Sequence, residues 1–369
     1  MMATADLPEN GPPPPRANPD LLGQETAEAT LLEAATSGRL AHAWLLTGPR
    51  GIGKATLAYR FARFLLSGGA EAGQGGPSLF GEPEPAASLH VAPESPLFRR
   101  IAAGGHADLL TVERTAGSTG KLRAEIVVED VRGVGAFMTM TAAEGGWRVV
   151  VVDAADEMNR NAANALLKVL EEPPARALLL LVAHNPGRLL PTIRSRCRTL
   201  ALAPLADDVV EGLLARHAPD LAPGDRAALA ALADGSIGRA LDLAAEGGLD
   251  LHRDMARLLA GLPDLDVPAL HDLAGRVAGP TADGAYRVLT DLIRRWLGAL
   301  VTDAARGRGP ADPAEAALAA RLLADGGLDR WLEVWEKINR LLARADGANL
   351  DRKQIVLNIF LALETAARG

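Results

Sequence analysis

Apolar positions recur along this chain with two periods, and the change from one to the other divides it. Ala43–Thr47, Leu109–Val112, Trp147–Val152 and Ala177–Val182 are short aliphatic runs that predict strands. The last two are continuous, as in strands covered on both faces of a parallel sheet. Between the runs the apolar spacing is helical. Leu57, Phe61, Phe64 and Leu65 predict one helix, Asn161–Leu170 predicts another stopped by Pro173 and Pro174, and the spacing from Leu21 to Leu32 predicts a third. Alternating strand and helix with buried strands is the α/β pattern. After Pro204 strand signals vanish. Residues 205–247 predict a small helical unit, and everything from Leu249 on is helical. Tyr286, Leu289, Ile293, Trp296 and Leu300 form one stripe. Leu328, Trp331, Trp335, Ile338 and Leu342 form a second, and Ile355, Ile359, Phe360 and Leu363 a third. Such stripes suit the core of a helical bundle or a subunit interface.

Two stretches interrupt the pattern. Residues 1–20 carry six prolines and predict a flexible arm, and Ser67–Pro96, with six glycines and five prolines, predicts a loose surface insertion. At 369 residues, two or three domains are expected. A formal charge of −7 speaks against a protein whose main work is coating nucleic acid. The longest apolar runs, Val149–Val152 and Leu178–Ala183, fall far short of the ~20 residues of a membrane span. The acidic, proline-rich start does not read as a signal peptide. Cys197 is the single cysteine, which excludes an internal disulfide and a cysteine-based metal cage. A cytoplasmic protein is expected. Lysine is scarce, with only Lys54, Lys121, Lys168, Lys337 and Lys353 among 39 basic residues, so a lysine at a chemically apt place carries weight.

Such a place is Gly48-Pro49-Arg50-Gly51-Ile52-Gly53-Lys54, between a predicted strand and a predicted helix. Glycines let backbone N–H groups curl around phosphate oxygens, the helix N-terminus adds positive potential, and the lysine reaches the phosphates. A glycine turn with a solvated lysine is the plainer alternative. The next residue should offer a hydroxyl to Mg²⁺. It is Ala55, and Thr56 comes one residue late, about 100° around the helix. Asp153 ends the run Val149–Val152, where a P-loop fold uses a carboxylate to hold the metal's water shell, unless it only caps a turn. The following residue, where a glutamate would activate water, is Ala154; Asp156 and Glu157 come too late. Farther on, Thr192-Ile193-Arg194-Ser195-Arg196-Cys197-Arg198 sets three arginines in five residues. That is a solvated basic turn, or an arginine presented to phosphate. Cys197 reads as a small packing residue rather than a reactive thiol.

Trp44–Leu66, Val149–Pro174 and Leu189–Cys197 together resemble the AAA+ clamp-loader ATPases of bacterial DNA replication. Asn164–Pro174 resembles their characteristic helix with its proline stop, Ser195-Arg196-Cys197 their Ser-Arg-Cys motif, and His106–Leu110 the entry to their second strand. The resemblance implies an α/β AAA+ fold: a RecA-like parallel sheet with flanking helices at 21–203, a helical lid at 204–248 and an all-α collar at 249–369. It implies a hetero-pentamer with motor (gamma/tau) and delta subunits, which loads a sliding clamp onto primed DNA. Arg196 would be the arginine finger in a neighbour's ATP site. The departures, Ala55, Ala154 and Gly238 where a sensor arginine is expected, imply the stationary subunit, with no independent ATPase activity. The loop would hold ADP or ATP weakly or not at all. Many relatives carry four zinc-binding cysteines in the insertion; this chain has none, so no zinc is expected. The alternative is an active AAA+ ATPase, a motor subunit or a DNA-remodelling enzyme, with Thr56 reaching the metal and Asp156 or Glu157 activating water.

Overall fold

The computed structural model describes residues 12–70, 86–117, 120, 122–144, 146–279, 281–310, 312–324, 327–348 and 350–368. Residues 1–11 of the expected arm and 71–85 of the expected insertion lie outside these. Contacts divide the chain into two units, Met1–Arg239 and Ala240–Gly369.

The first unit is built on a five-stranded parallel sheet. In chain order it contains α1 (Glu25–Thr36), β1 (Ala43–Thr47), α2 (Lys54–Leu66), α3 (Pro96–Ala102), β2 (Leu109–Val112), α4 (Val128–Val131), α5 (Gly133–Thr139), β3 (Arg148–Val152), α6 (Arg160–Glu171), β4 (Ala177–Ala183), α7 (Pro191–Arg194) and β5 (Arg198–Ala201). Next come α8 (Asp207–His217), α9 (Pro223–Leu232) and α10 (Ile237–Ala245), the last crossing the division between the units. The sheet order is β2-β3-β4-β1-β5, and every pairing is parallel. Because strand side chains alternate between faces, Trp44, Leu46, Val149, Val151, Leu178, Leu180 and Val182 pack with α1 and α2. Leu45, Val150, Val152, Leu179 and Leu181 pack with α5 and α6 on the other face. Burial on both faces is why these strands are unbroken aliphatic runs. The Asn159 side chain accepts the Ala162 N–H at 2.9 Å and starts α6, and the Pro173–Pro174 pair follows its end.

The four predicted strands match β1 to β4 to within one residue at each end. β5 carries no such pattern; it is a short, largely exposed edge strand formed by pairing with β1. The arm expected to be flexible is, over its described residues 12–20, tied to the core. Arg63, 1% exposed, donates to the carbonyls of Arg16 (3.0 Å) and Asn18 (2.8 Å) and stacks on the Phe98 ring, while Arg60 donates to Pro19 O at 2.7 Å. A buried guanidinium without a carboxylate needs carbonyl acceptors, and this segment supplies them.

The second unit is helical, with α11 (Gly248–Ala260), α12 (Val267–Arg276), α13 (Asp283–Ala305), α14 (Pro313–Leu323), α15 (Leu328–Ala348) and α16 (Arg352–Arg368). Most residues of the apolar stripes read from the sequence are buried in its core, while Trp296 and Leu328 are half-buried and Trp335 is exposed. Trp331 is fully buried, donates its indole N–H to Leu322 O at 2.9 Å and meets Trp296 edge to face. Among the described residues no helix is long and apolar enough to cross a membrane.

Candidate phosphate loop and arginine turn

β1 delivers the chain at Thr47 into a loop whose shape its glycines make possible. Gly48, Gly51 and Gly53 all have positive φ, at 139°, 77° and 95°. A Cβ on Gly48 would lie 2.6 Å from Leu202 O, and one on Gly51 only 2.5 Å from Ser236 Oγ. The loop is therefore closed to side chains at two points for separate reasons. Lys54 opens α2 and is buried; its ammonium donates to the carbonyls of Gly48 (2.7 Å) and Pro49. The lysine thus spans the curl of the loop, leaving one of its three N–H donors for a ligand. Burial lowers its pKa to about 8, against the opposing pull of the Asp153 and Asp156 carboxylates.

The loop is braced from behind by residues outside the glycine-lysine run. Gln24 donates its amide to Ile52 O (3.1 Å) and Ala203 O (3.0 Å). Ser236 Oγ donates to Arg50 O at 2.8 Å, and the Gly238 N–H to Gly51 O at 3.1 Å. A Cβ on Gly238 would stand 2.9 Å from Gly51 Cα, so the position expected for a sensor arginine is packed directly on the loop. Arg239, one residue on, pairs with Asp234.

Asp153 follows β3, half-buried, and burial raises its pKa. Ala154 adopts a left-handed conformation (φ 64°) and begins the turn Ala155–Glu157. Asp156 is buried and accepts the N–H groups of His184 (3.0 Å) and Asn185 (2.7 Å), fixing the turn after β4. Glu157 pairs with Arg114 at 2.8 Å. Both carboxylates considered for activating water are thus engaged in holding the fold. His184 is kept neutral: burial and the Lys54 charge push its pKa down to about 4, and its Nδ1 has no hydrogen-bond partner among the described residues. Ala55 offers no hydroxyl, and Thr56 is buried. The residue set does not supply the usual Mg²⁺ ligand.

The arginine turn stands at the opposite end of the strands. β5 pairs with β1 so that Arg198 lies opposite Trp44 and Ala201 opposite Thr47. Arg196 therefore enters at the start of the parallel strands, whereas Gly48–Lys54 leaves from their end, and the strands between span about 10 Å at ~3.3 Å per residue. Arg196 donates to Thr192 O at 3.0 Å and meets Glu171, the last residue of α6, at 3.0 Å. Arg198 lies over the Trp44 ring, 4.8 Å from its centroid. Burial raises the Cys197 thiol to a pKa of about 12, in keeping with a packing residue.

Residues 23–206 match the family model described as DNA polymerase III, delta subunit. The DNA polymerase III subunit delta' of Pseudomonas aeruginosa is 41% identical over 157 residues, 42% of each chain. The subunit gamma/tau of Mycobacterium tuberculosis is 31% identical over 328 residues, covering 82% of this chain and 53% of the relative. The chain thus spans about half the length of these curated relatives. A gamma subunit-related protein of Thermotoga maritima has a solved structure that aligns over 92% of this chain and 99% of its own at 18% identity, with a TM-score of 0.43. The chain belongs to the family of clamp-loader subunits (delta'/gamma/tau) of DNA polymerase III.

Proposed function

We propose that this chain is the stationary, delta-prime-type subunit of a clamp loader, that it hydrolyses no ATP itself, and that Arg196 completes the ATP site of a neighbouring motor subunit. The observation that carries the reading is the separation of Arg196 from the chain's own phosphate loop by the depth of the sheet. An arginine so placed, with N–H donors to spare, serves another molecule or none. Three features speak against turnover at the chain's own loop. Ala55 lacks the metal-binding hydroxyl, Asp156 and Glu157 are engaged elsewhere, and Gly238 stands where a sensor arginine is expected. What remains is a cradle with a charged lysine, able to hold ADP or ATP weakly. The partners in this reading are gamma/tau and delta subunits in a hetero-pentamer, with the sliding clamp and primed DNA engaged through the complex in the cytoplasm.

The match to gamma/tau over 82% of the chain favours a second reading, an active motor. One experiment separates the two. ATP hydrolysis stimulated by clamp and primed DNA is measured for complexes reconstituted with wild type or Arg196→Ala, beside the isolated chain. The proposal expects an inactive isolated chain, an active complex, and an Arg196→Ala complex that assembles yet loses a large share of the activity, since such arginines contribute ~10³–10⁵ in rate at the site they serve. Turnover by the isolated chain that Lys54→Ala abolishes, with Arg196→Ala neutral in the complex, would establish the motor instead.

A further inference from the structure

We propose that Glu171 is a positioning residue for Arg196, an inference that rests on the role given to Arg196 above. Of the three clustered arginines, Arg198 lies against Trp44, and Arg194 has no ion pair among the described residues. Only Arg196 is gripped from two sides, by Thr192 O and by the Glu171 carboxylate, each at 3.0 Å. A guanidinium carries five N–H donors. These two contacts use two of them, so three remain to face an anion. The carboxylate therefore aims the arginine without covering it. Both side chains keep access to solvent, at 36% and 50% exposure, so the pair can adjust when an anion approaches.

The placement of Glu171 supports the same conclusion. It is the last residue of α6, where the helix dipole is negative and a carboxylate is disfavoured. A residue retained there for the helix's sake would be Lys or Arg. Lys168 already serves that purpose in the last turn. What Glu171 provides is directed at Arg196, and through it at the neighbour's phosphate.

The test is a double-mutant cycle in the reconstituted complex, with kcat and KM for ATP measured for wild type, Glu171→Ala, Arg196→Ala and the double variant. Glu172→Ala serves as an exposed control, and thermal unfolding of each isolated chain is recorded alongside. The expected result is a kcat lowered up to about fivefold by Glu171→Ala, the range of an exposed ion pair. KM should be unchanged, and Tm should be equal or slightly raised because the dipole conflict is removed. Glu171→Ala should add nothing in the Arg196→Ala background. The proposal is overturned if Glu171→Ala keeps the wild-type kcat while Arg196→Ala loses activity, or if the fractional loss is the same in both backgrounds. A neutral Arg196→Ala would overturn the trans-acting arginine itself, and Glu171's role with it.

Discussion

Replacing Asp156 by alanine should loosen the sheet of the first unit while leaving its pairing pattern intact. The carboxylate is 7% exposed and accepts two backbone N–H groups, from His184 at 3.0 Å and Asn185 at 2.7 Å, where the chain turns out of β4. A methyl group accepts neither. Each orphaned donor costs about 1–3 kcal/mol, and partial access of water to the turn keeps the pair nearer the lower end, about 2–4 kcal/mol in all. The two units need not unfold together, so a single melting curve would blend them. Amide hydrogen exchange of peptides covering 43–47 and 177–183 reads the first unit alone. At 1.36 kcal/mol per factor of ten, exchange there should accelerate about 30- to 900-fold. Asp156→Asn keeps one acceptor oxygen and should show about half the loss in free energy. An acceleration below threefold for Asp156→Ala would mean that the carboxylate is not holding the turn. It would then be available for other chemistry, which would reopen the active-ATPase reading.

Other consequences are sharper in pH or reactivity. Lys54 titrates near 8 in the folded chain against 10.5 ordinarily, so between those values the unfolded chain binds more protons and this group makes stability rise with pH. Below pH 8 it is a constant penalty. In denaturant titrations the wild type should gain on Lys54→Met between pH 8 and 10.5, and parallel curves would refute the assignment. Gly51→Ala places a Cβ 2.5 Å from Ser236 Oγ at φ 77°, and should cost about 2 kcal/mol, read as about 30-fold faster amide exchange over 43–47; unchanged exchange would mean the loop is not packed on Ser236. Cys197, with its pKa near 12, should react with a disulfide reagent at pH 8 at least tenfold more slowly in the native chain than in the denatured one, and equal rates would refute its burial.

What could be read from the sequence follows from what sequence pattern encodes. β1, β3 and β4 were legible because burial on both faces forces aliphatic residues at every position, and the turn glycines because their φ values admit little else. β5 was not, since an exposed edge strand is defined by its partner: Arg198–Ala201 is a strand only because β1 offers it a ladder. The prolines of 12–20 suggest a flexible arm, whereas its carbonyls are bound by Arg60 and Arg63. The missed signal was Arg63, an arginine set between Phe61, Ala62 and Phe64 on an apolar helix, which had to find acceptors. In the site, Gly48–Lys54 is contiguous and legible. Its braces Gln24 and Ser236, and the meeting of Glu171 with Arg196 across 25 positions, are tertiary and leave no local trace.

A parallel sheet has two chemically different ends, and on the proposed reading that difference lets a chain lose one function and keep another. All strands stop at the end that carries Gly48–Lys54, Asp153 and the turn after β4; all begin at the end that carries Arg196 and Glu171. Among the described residues no hydrogen bond of the arginine turn reaches a loop residue: Arg196 is held by Thr192 and Glu171, and Lys54 by Gly48 and Pro49. Substitutions such as Ala55 and Ala154 at one end therefore exert no direct pull on the other. Subunits that present an arginine from one end and receive one at the other associate head to tail, and such heterologous contacts run in one direction around a ring. On the proposed reading this chain would need only its arginine-bearing end intact, so lacking a metal ligand at the loop end would cost the assembly one ATP site and leave its neighbour's complete.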